Sequence, residues 1–140
     1  MKKNLAALAM TLALLTCAGA YAQTVHVEST IPFSFNVGNT QLPAGKYEIQ
    51  SAGTSGHVLN IRNRDTGEGT FVVPLAHESS KASSDTKLVF HRYGKQYFMA
   101  EFWLTGYKQG QQFKAGRKET ELAKDYSQQQ DNTTLMASRR

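Results

Sequence analysis

The chain has 140 residues, of which 40% are hydrophobic and 19% charged, with 16 basic against 11 acidic side chains. This length suits a single domain, and the composition excludes a collagen-like or wholly disordered chain. The one long apolar run lies at the start, which excludes a polytopic membrane protein.

Residues 1–22 predict a signal peptide. Lys2 and Lys3 precede an uncharged apolar run at 5–15, and Ala20-Tyr21-Ala22 offers a small-x-small cleavage site before Gln23. The run is shorter than the about 20 residues that a spanning helix needs. We therefore expect export to the periplasm or the extracellular space, and a cleaved chain that does not span a membrane.

Cys17 is the single cysteine. Leu14-Leu15-Thr16-Cys17 loosely matches a lipoprotein signal, but threonine stands where a small residue is preferred, so lipidation is the less favoured alternative. Without a later cysteine, the folded part is expected to hold no disulfide and no thiolate ligand or nucleophile.

The first strands are predicted by alternation. Residues 24–29 predict a strand, and residues 31–37 alternate apolar and polar side chains before a turn at 42–45. Residues 46–50 then return as the second strand of a hairpin, with Tyr47 and Ile49 directed inward.

Two more hairpins follow. Residues 58–62 and 70–75 flank a turn in which Gly67 suits the left-handed position, and Pro74 marks a strand end or a sheet edge. Residues 87–92 and 96–104 flank a turn near Gly94. The second of these strands is apolar on both faces, which predicts the centre of a closed sheet or a strand beneath a packed helix.

The remaining segments are polar. We expect flexible loops at 76–85 and 105–116, a helix from Arg117 to about Gln128 with Leu122 and Tyr126 as its apolar stripe, and a disordered polar tail at 129–140. Residues 23–128 then form one all-β domain with a short C-terminal helix. The predicted fold is an antiparallel meander of about seven short strands, closed as a small barrel or sandwich.

Three stretches carry a family resemblance: Ile31-Pro32-Phe33-Ser34-Phe35-Asn36-Val37, Leu42-Pro43-Ala44-Gly45-Lys46-Tyr47-Glu48-Ile49 and, later, Leu88-Val89-Phe90-His91-Arg92-Tyr93-Gly94. The chain resembles an uncharacterised family of small exported bacterial β-proteins over residues 31–104. The resemblance implies export and a β fold, and it assigns no catalytic residue.

No catalytic set stands out, so we predict a chain that is not an enzyme and holds no cofactor. Asp65-Thr66-Gly67 matches the triplet of retroviral-type aspartic proteases, but its charged neighbours favour a turn. Metal ligation is a weaker possibility, because no standard ligand spacing is present. His26 and Glu28 share a strand face. Three more histidines complete the candidate set, namely His57, His77 and His91.

Large aromatic residues form the candidate ligand surface, namely Tyr93, Trp103 and Tyr107, although core packing is the favoured role for Trp103. We expect a non-catalytic exported domain with a binding or structural role. Its candidate partners are envelope lipid, polysaccharide or another exported protein, and not nucleic acid. Two alternatives stay open: a histidine-based metal-binding protein or hydrolase, and a carrier of an apolar ligand.

Overall fold

A computed structural model describes residues 25–53, 56–126 and 130–140. The predicted signal peptide and Cys17 lie outside the described residues. The described residues are 55% strand and 8% helix, in two sheets. Its strands are β1 (His26–Ile31), β2 (Phe35–Val37), β3 (Thr40–Leu42), β4 (Gly45–Ala52), β5 (Val58–Asn63), β6 (Gly69–Val72), β7 (Leu75–Glu78), β8 (Lys87–Tyr93), β9 (Gln96–Trp103), β10 (Gln109–Gln112), β11 (Asp131–Met136) and β12 (Ser138–Arg139), with helix α1 (Arg117–Asp125) between β10 and β11.

The two sheets form a sandwich-like fold. The first sheet has the antiparallel order β12-β1-β4-β5-β6. The second has the order β11-β8-β9-β10-β7, with β2 joined in parallel to β9 and antiparallel to β3. Across the described residues the sheets do not close into a barrel. The sandwich alternative is therefore the one that fits, and the expected seven-stranded meander was too simple.

The core lies between the sheets. Each inward row alternates with polar outward residues, as the strand period requires. The most deeply buried side chains include Val27, Ile31, Phe35, Tyr47, Ile49, Ile61, Leu88 and Phe90. Tyr47 and Ile49 thus point inward as predicted.

The three prolines of the chain lie at three of the four places where the described chain changes sheet; the fourth, between β11 and β12, has no proline. Pro32 separates β1 from β2, Pro43 separates β3 from β4, and Pro74 separates β6 from β7; in each case the flanking strands belong to different sheets. Proline lacks the N–H that a ladder requires, so it ends pairing at each crossing.

The first predicted hairpin was wrong for this reason. Residues 31–37 are not one strand: β1 ends at Ile31, and β2 begins at Phe35 in the other sheet. β2 forms a small hairpin with β3, whereas β4 pairs with β1, placing Ile31 opposite Gly45.

The other two hairpins are confirmed. β5 pairs with β6 through a turn in which Gly67 has φ +78°, and β6 ends before Pro74 as the last strand of its sheet. β8 pairs with β9 through a turn in which Gly94 has φ +60°. A positive φ is open to glycine because it carries no Cβ.

Three polar segments hold strands where the sequence predicted loops or disorder. β7 lies in the expected loop 76–85 and pairs with β10 from the expected loop 105–116. In the expected tail 129–140, β11 pairs with β8 and β12 pairs with β1. Strands β7, β11 and β12 lie at sheet edges and are largely exposed, so they carry no apolar alternation that would reveal them.

Helix α1 covers part of the outer face of the second sheet. Phe98 of β9 is buried outside the core cluster and pairs across the ladder with His91, whose imidazole contacts Glu119 of α1. This arrangement explains why β9 is apolar on both faces. The expected stripe does not anchor the helix, since Tyr126 is exposed and Glu119 is its buried residue. No helix in the described part of the chain has the length and apolar character needed to span a membrane.

Candidate functional site

The outer face of the first sheet brings three potential metal ligands together. His26 and Glu28 alternate on β1, and Glu48 of β4 lies directly opposite Glu28 in the ladder. One ligand atom from each side chain lies within 4.8 Å of the other two. The predicted pairing of His26 with Glu28 on one face is therefore observed, and Glu48 completes the group.

Each carboxylate of this group already has a partner. Nε2 of His26 lies 2.5 Å from Oε1 of Glu48. Glu28 accepts a hydrogen bond from Arg64 at Oε1 and forms an ion pair with Arg140, whose Nε lies 3.1 Å from Oε2. The result is a half-buried charge network that connects β1, β4, the β5–β6 turn and Arg140.

Sequence reasoning missed Glu48. The signal was present, because Lys46, Glu48 and Gln50 alternate with the inward Tyr47 and Ile49 and so share the outer face of β4. Their proximity to Glu28 depends on β4 pairing with β1. The predicted pairing of 46–50 with 31–37 would have separated the two carboxylates.

An open cleft of about 690 Å³ adjoins the network on the side of Glu28. Its charged lining consists of Lys46, Arg64 and Arg140 together with Glu28, so positive charge is in excess. His26 and Glu48 are not among the residues that line this cleft.

The other three candidate histidines lie elsewhere. His57 is exposed just before β5. His77 of β7 packs edge-on against the indole of Trp103, with ring centroids 5.7 Å apart. His91 contacts Glu119 through Nδ1 at 2.7 Å. The structure thus unites His26 and Glu28 but does not bring these three histidines to them.

The predicted aromatic ligand surface does not form as one patch. Tyr93 and Trp103 are both buried and lie at opposite ends of the β8–β9 hairpin, because Tyr93 pairs with Gln96 at the turn and Trp103 pairs with Lys87 at the other end. Trp103 packs against the backbone of Gly110 and donates its Nε1–H to Glu101 at 2.7 Å. Tyr107 is half-buried in the loop after β9.

The triplet Asp65-Thr66-Gly67 is a turn. The N–H groups of Asp65 and Thr66 both donate to Oδ1 of the buried Asn63, at 2.9 and 3.1 Å. The Asp65 side chain is exposed. This side-chain cap is the usual chemistry of a tight turn.

An apolar row lies along one edge of the sandwich. Phe71, Val73 and Leu75 are 66%, 67% and 58% exposed and alternate along the segment that leads from β6 to β7. β6 ends the order of the first sheet and β7 ends the order of the second. The segment therefore forms one continuous side of the molecule.

Comparisons with protein-family models, with curated proteins and with solved structures give no match for this chain. The resemblance of residues 31–104 to a family of small exported bacterial β-proteins stays a prediction.

Proposed function

We propose that this chain is an exported, non-catalytic binding domain that captures an extended, uncharged segment of another exported protein along β6. The observation that carries the proposal is the exposed row Phe71, Val73 and Leu75, which begins on the open edge strand β6 with Phe71 and continues toward β7. A captured segment would add a further strand to the first sheet.

The backbone of β6 is available for this pairing. β5 bonds to one side of β6, and no strand among residues 25–53, 56–126 and 130–140 pairs with its other side. The row of N–H and C=O groups on that side is a template for an incoming strand. Main-chain hydrogen bonds of this kind supply affinity without requiring one particular partner sequence.

The side chains define the chemistry of the partner. From Gly69 to Ala76 the chain carries no charged residue, although Glu68 and Glu78 stand close to the two ends. Open edges in soluble proteins are usually protected by charged residues, and large exposed apolar rows mark interaction sites. A partner segment with alternating apolar side chains matches this row, whereas a charged segment would lose hydration without a compensating ion pair.

Two further features support the proposal. The pattern of residues 1–22 predicts export, so the partner would be met in the periplasm or outside the cell. The space between the sheets is filled by buried side chains of the core cluster, which disfavours the alternative of an apolar-ligand carrier.

A labelled peptide can test the edge directly. The probe is an acetylated and amidated peptide of about eight alternating threonine and valine residues, followed by fluorescence anisotropy. We expect saturable binding that weakens on the order of tenfold with Phe71→Lys, because a charge is placed beside the incoming strand. Met136→Lys is the matched control, since Met136 is 65% exposed and lies on β11.

A second peptide, with proline at its centre, tests the backbone pairing because it lacks one main-chain donor. Equal binding of both peptides, or equal loss with Phe71→Lys and Met136→Lys, would contradict the proposal. Dimerisation of the protein that Phe71→Lys abolishes would instead assign the edge to a second copy of the chain.

A further inference from the structure

We propose that His26, Glu28 and Glu48 form a surface site for one divalent metal ion of the zinc class. The site is separate from the β6 edge, because β4 and β5 lie between β1 and β6 in the sheet. An imidazole nitrogen with two carboxylate oxygens is a donor set that zinc uses in proteins.

The geometry of the three donors fits such an ion. Zinc bonds of about 2.0–2.2 Å in a tetrahedral arrangement separate ligand atoms by about 3.3–3.5 Å. The donor atoms here all lie within 4.8 Å of one another, and His26 Nε2 is 2.5 Å from Glu48 Oε1. Small side-chain rotations therefore suffice, with no movement of the backbone.

The scaffold holds the donors in place. Glu28 and Glu48 form a cross-strand pair, and His26 lies two residues along β1 on the same face. Sites built on paired strands keep their geometry better than sites on loops. The imidazole and both carboxylates are between 20% and 37% exposed, so an ion can reach them and a water molecule can complete the coordination.

The cation would lie on the side of His26 and Glu48, which do not line the positively charged cleft beside Glu28. Glu28 and Glu48 are like charges placed directly opposite each other, an arrangement that destabilises a sheet unless a cation compensates it. His26 contacts Glu48, while Arg64 and Arg140 form ion pairs with Glu28. An ionised carboxylate has about four lone-pair sites, so two guanidinium donors leave Glu28 able to bind an ion.

The arginines then act as orienting residues. Each bonds one oxygen of Glu28, which fixes the carboxylate plane in the manner of outer partners at other metal sites. Arg140 is held in turn by its backbone N–H, which donates to the carbonyl of His26 at 3.0 Å. Arg140 thus supports both the ligand strand and the ligand carboxylate.

The test is a calorimetric titration of Zn²⁺ alone into the protein purified without chelators, in a Cys17→Ser background so that no thiolate competes. We expect one ion per chain. His26→Ala and Glu48→Gln should each weaken binding by at least about tenfold, since each removes one of three protein ligands. His77→Ala and Glu121→Gln are matched controls, because both residues are exposed and lie elsewhere.

Co²⁺ in place of Zn²⁺ gives a second readout, because its visible absorption reports coordination geometry. Far-UV circular dichroism and the unfolding midpoint without metal show whether each variant is folded. The proposal is overturned if Zn²⁺ binds equally to folded His26→Ala and Glu48→Gln, or if no saturable one-to-one binding occurs. Neither result bears on peptide binding at β6, so the two proposals fail independently.

Discussion

Oε1 of Glu119 lies 2.7 Å from Nδ1 of His91, and this contact attaches helix α1 to the second sheet. Glu119 is only 6% exposed and is the buried residue of the helix. A polar contact, and not an apolar stripe, therefore anchors this helix.

Replacing Glu119 should detach the helix. Glu119→Ala removes the buried carboxylate and leaves His91 without this partner, so we expect a loss of about 1–2 kcal/mol in the free energy of unfolding. Hydrogen exchange of the amides in α1 should accelerate more than exchange in β5. Both quantities can be measured on the purified protein by denaturant unfolding and exchange mass spectrometry.

Glu121→Ala is the matched control for this prediction. Glu121 pairs with Arg117 at 3.1 Å on the exposed side of α1, and exposed pairs of this spacing contribute about 0.3–0.5 kcal/mol. Equal effects of the two substitutions would mean that Glu119 does not anchor the helix.

The indole of Trp103 requires a glycine beneath it. A Cβ added at Gly110 would lie 2.7 Å from two ring atoms, so Gly110→Ala should displace the indole and cost about 1–3 kcal/mol. Trp103 is the single tryptophan, so its fluorescence reports the displacement directly. Gln112→Ala on the same strand is the control, and an unchanged emission spectrum in Gly110→Ala would refute the prediction.

The sequence predicted correctly those elements whose patterns lie within a short stretch of residues. The hairpins around Gly67 and Gly94 could be predicted because a turn glycine separates two alternating apolar runs. Helix α1 was predicted from the i,i+4 spacing of Leu122 and Tyr126, and it begins at Arg117 as expected but ends at Asp125. Edge strands such as β7 and β11 could not be found, because their pairing depends on backbone groups and leaves most of their side chains exposed.

The site was harder to predict because it depends on strand pairing. His26 and Glu28 could be placed on one face from their spacing alone. Glu48 joins them only through the β1–β4 ladder, and Arg140 joins only because β12 returns to the first sheet. The prolines offered the missing information, since Pro32 interrupts the run that was interpreted as one strand.

Two buried tyrosines should make the fold sensitive to alkali. Burial raises the pKa of Tyr47, whose hydroxyl donates to the carbonyl of Pro43 at 2.6 Å. Burial also raises the pKa of Tyr93, and the charge of Glu119 adds to that shift. The folded-state pKa of each tyrosine lies above its unfolded value of about 10. The resulting stabilisation is fully present below about pH 10, and it is lost as the pH rises through the folded-state pKa.

We therefore expect the denaturant midpoint to fall as the pH rises above about 10, together with the appearance of phenolate absorbance. Tyr47→Phe should weaken this pH dependence, at a cost of about 1 kcal/mol at neutral pH from the lost hydrogen bond. Tyr126→Phe, at an exposed tyrosine, should leave the profile unchanged. A profile that Tyr47→Phe does not alter would show that the phenol is not responsible.

Removing residues 138–140 should loosen β1. These residues form β12, which pairs Ser138 with Glu28 and Arg139 with Val27, and Arg140 donates from its backbone to His26. Since each backbone hydrogen bond contributes about 0.5–1.5 kcal/mol, the truncated chain should lose about 1–3 kcal/mol of unfolding free energy. Hydrogen exchange should accelerate in β1 and not in β8, which pairs with β11.

The single substitution Arg140→Ala separates the two contributions of this segment. It keeps the β12 backbone and removes only the ion pair with Glu28, so its effect should be smaller than that of the truncation. If both changes destabilise β1 equally, the side chain of Arg140 holds the strand and the ladder adds nothing. If neither change alters hydrogen exchange in β1, β12 does not support the first sheet. The predicted role requires that removing β12 weakens the hydrogen bonds of β1, its neighbour in the sheet.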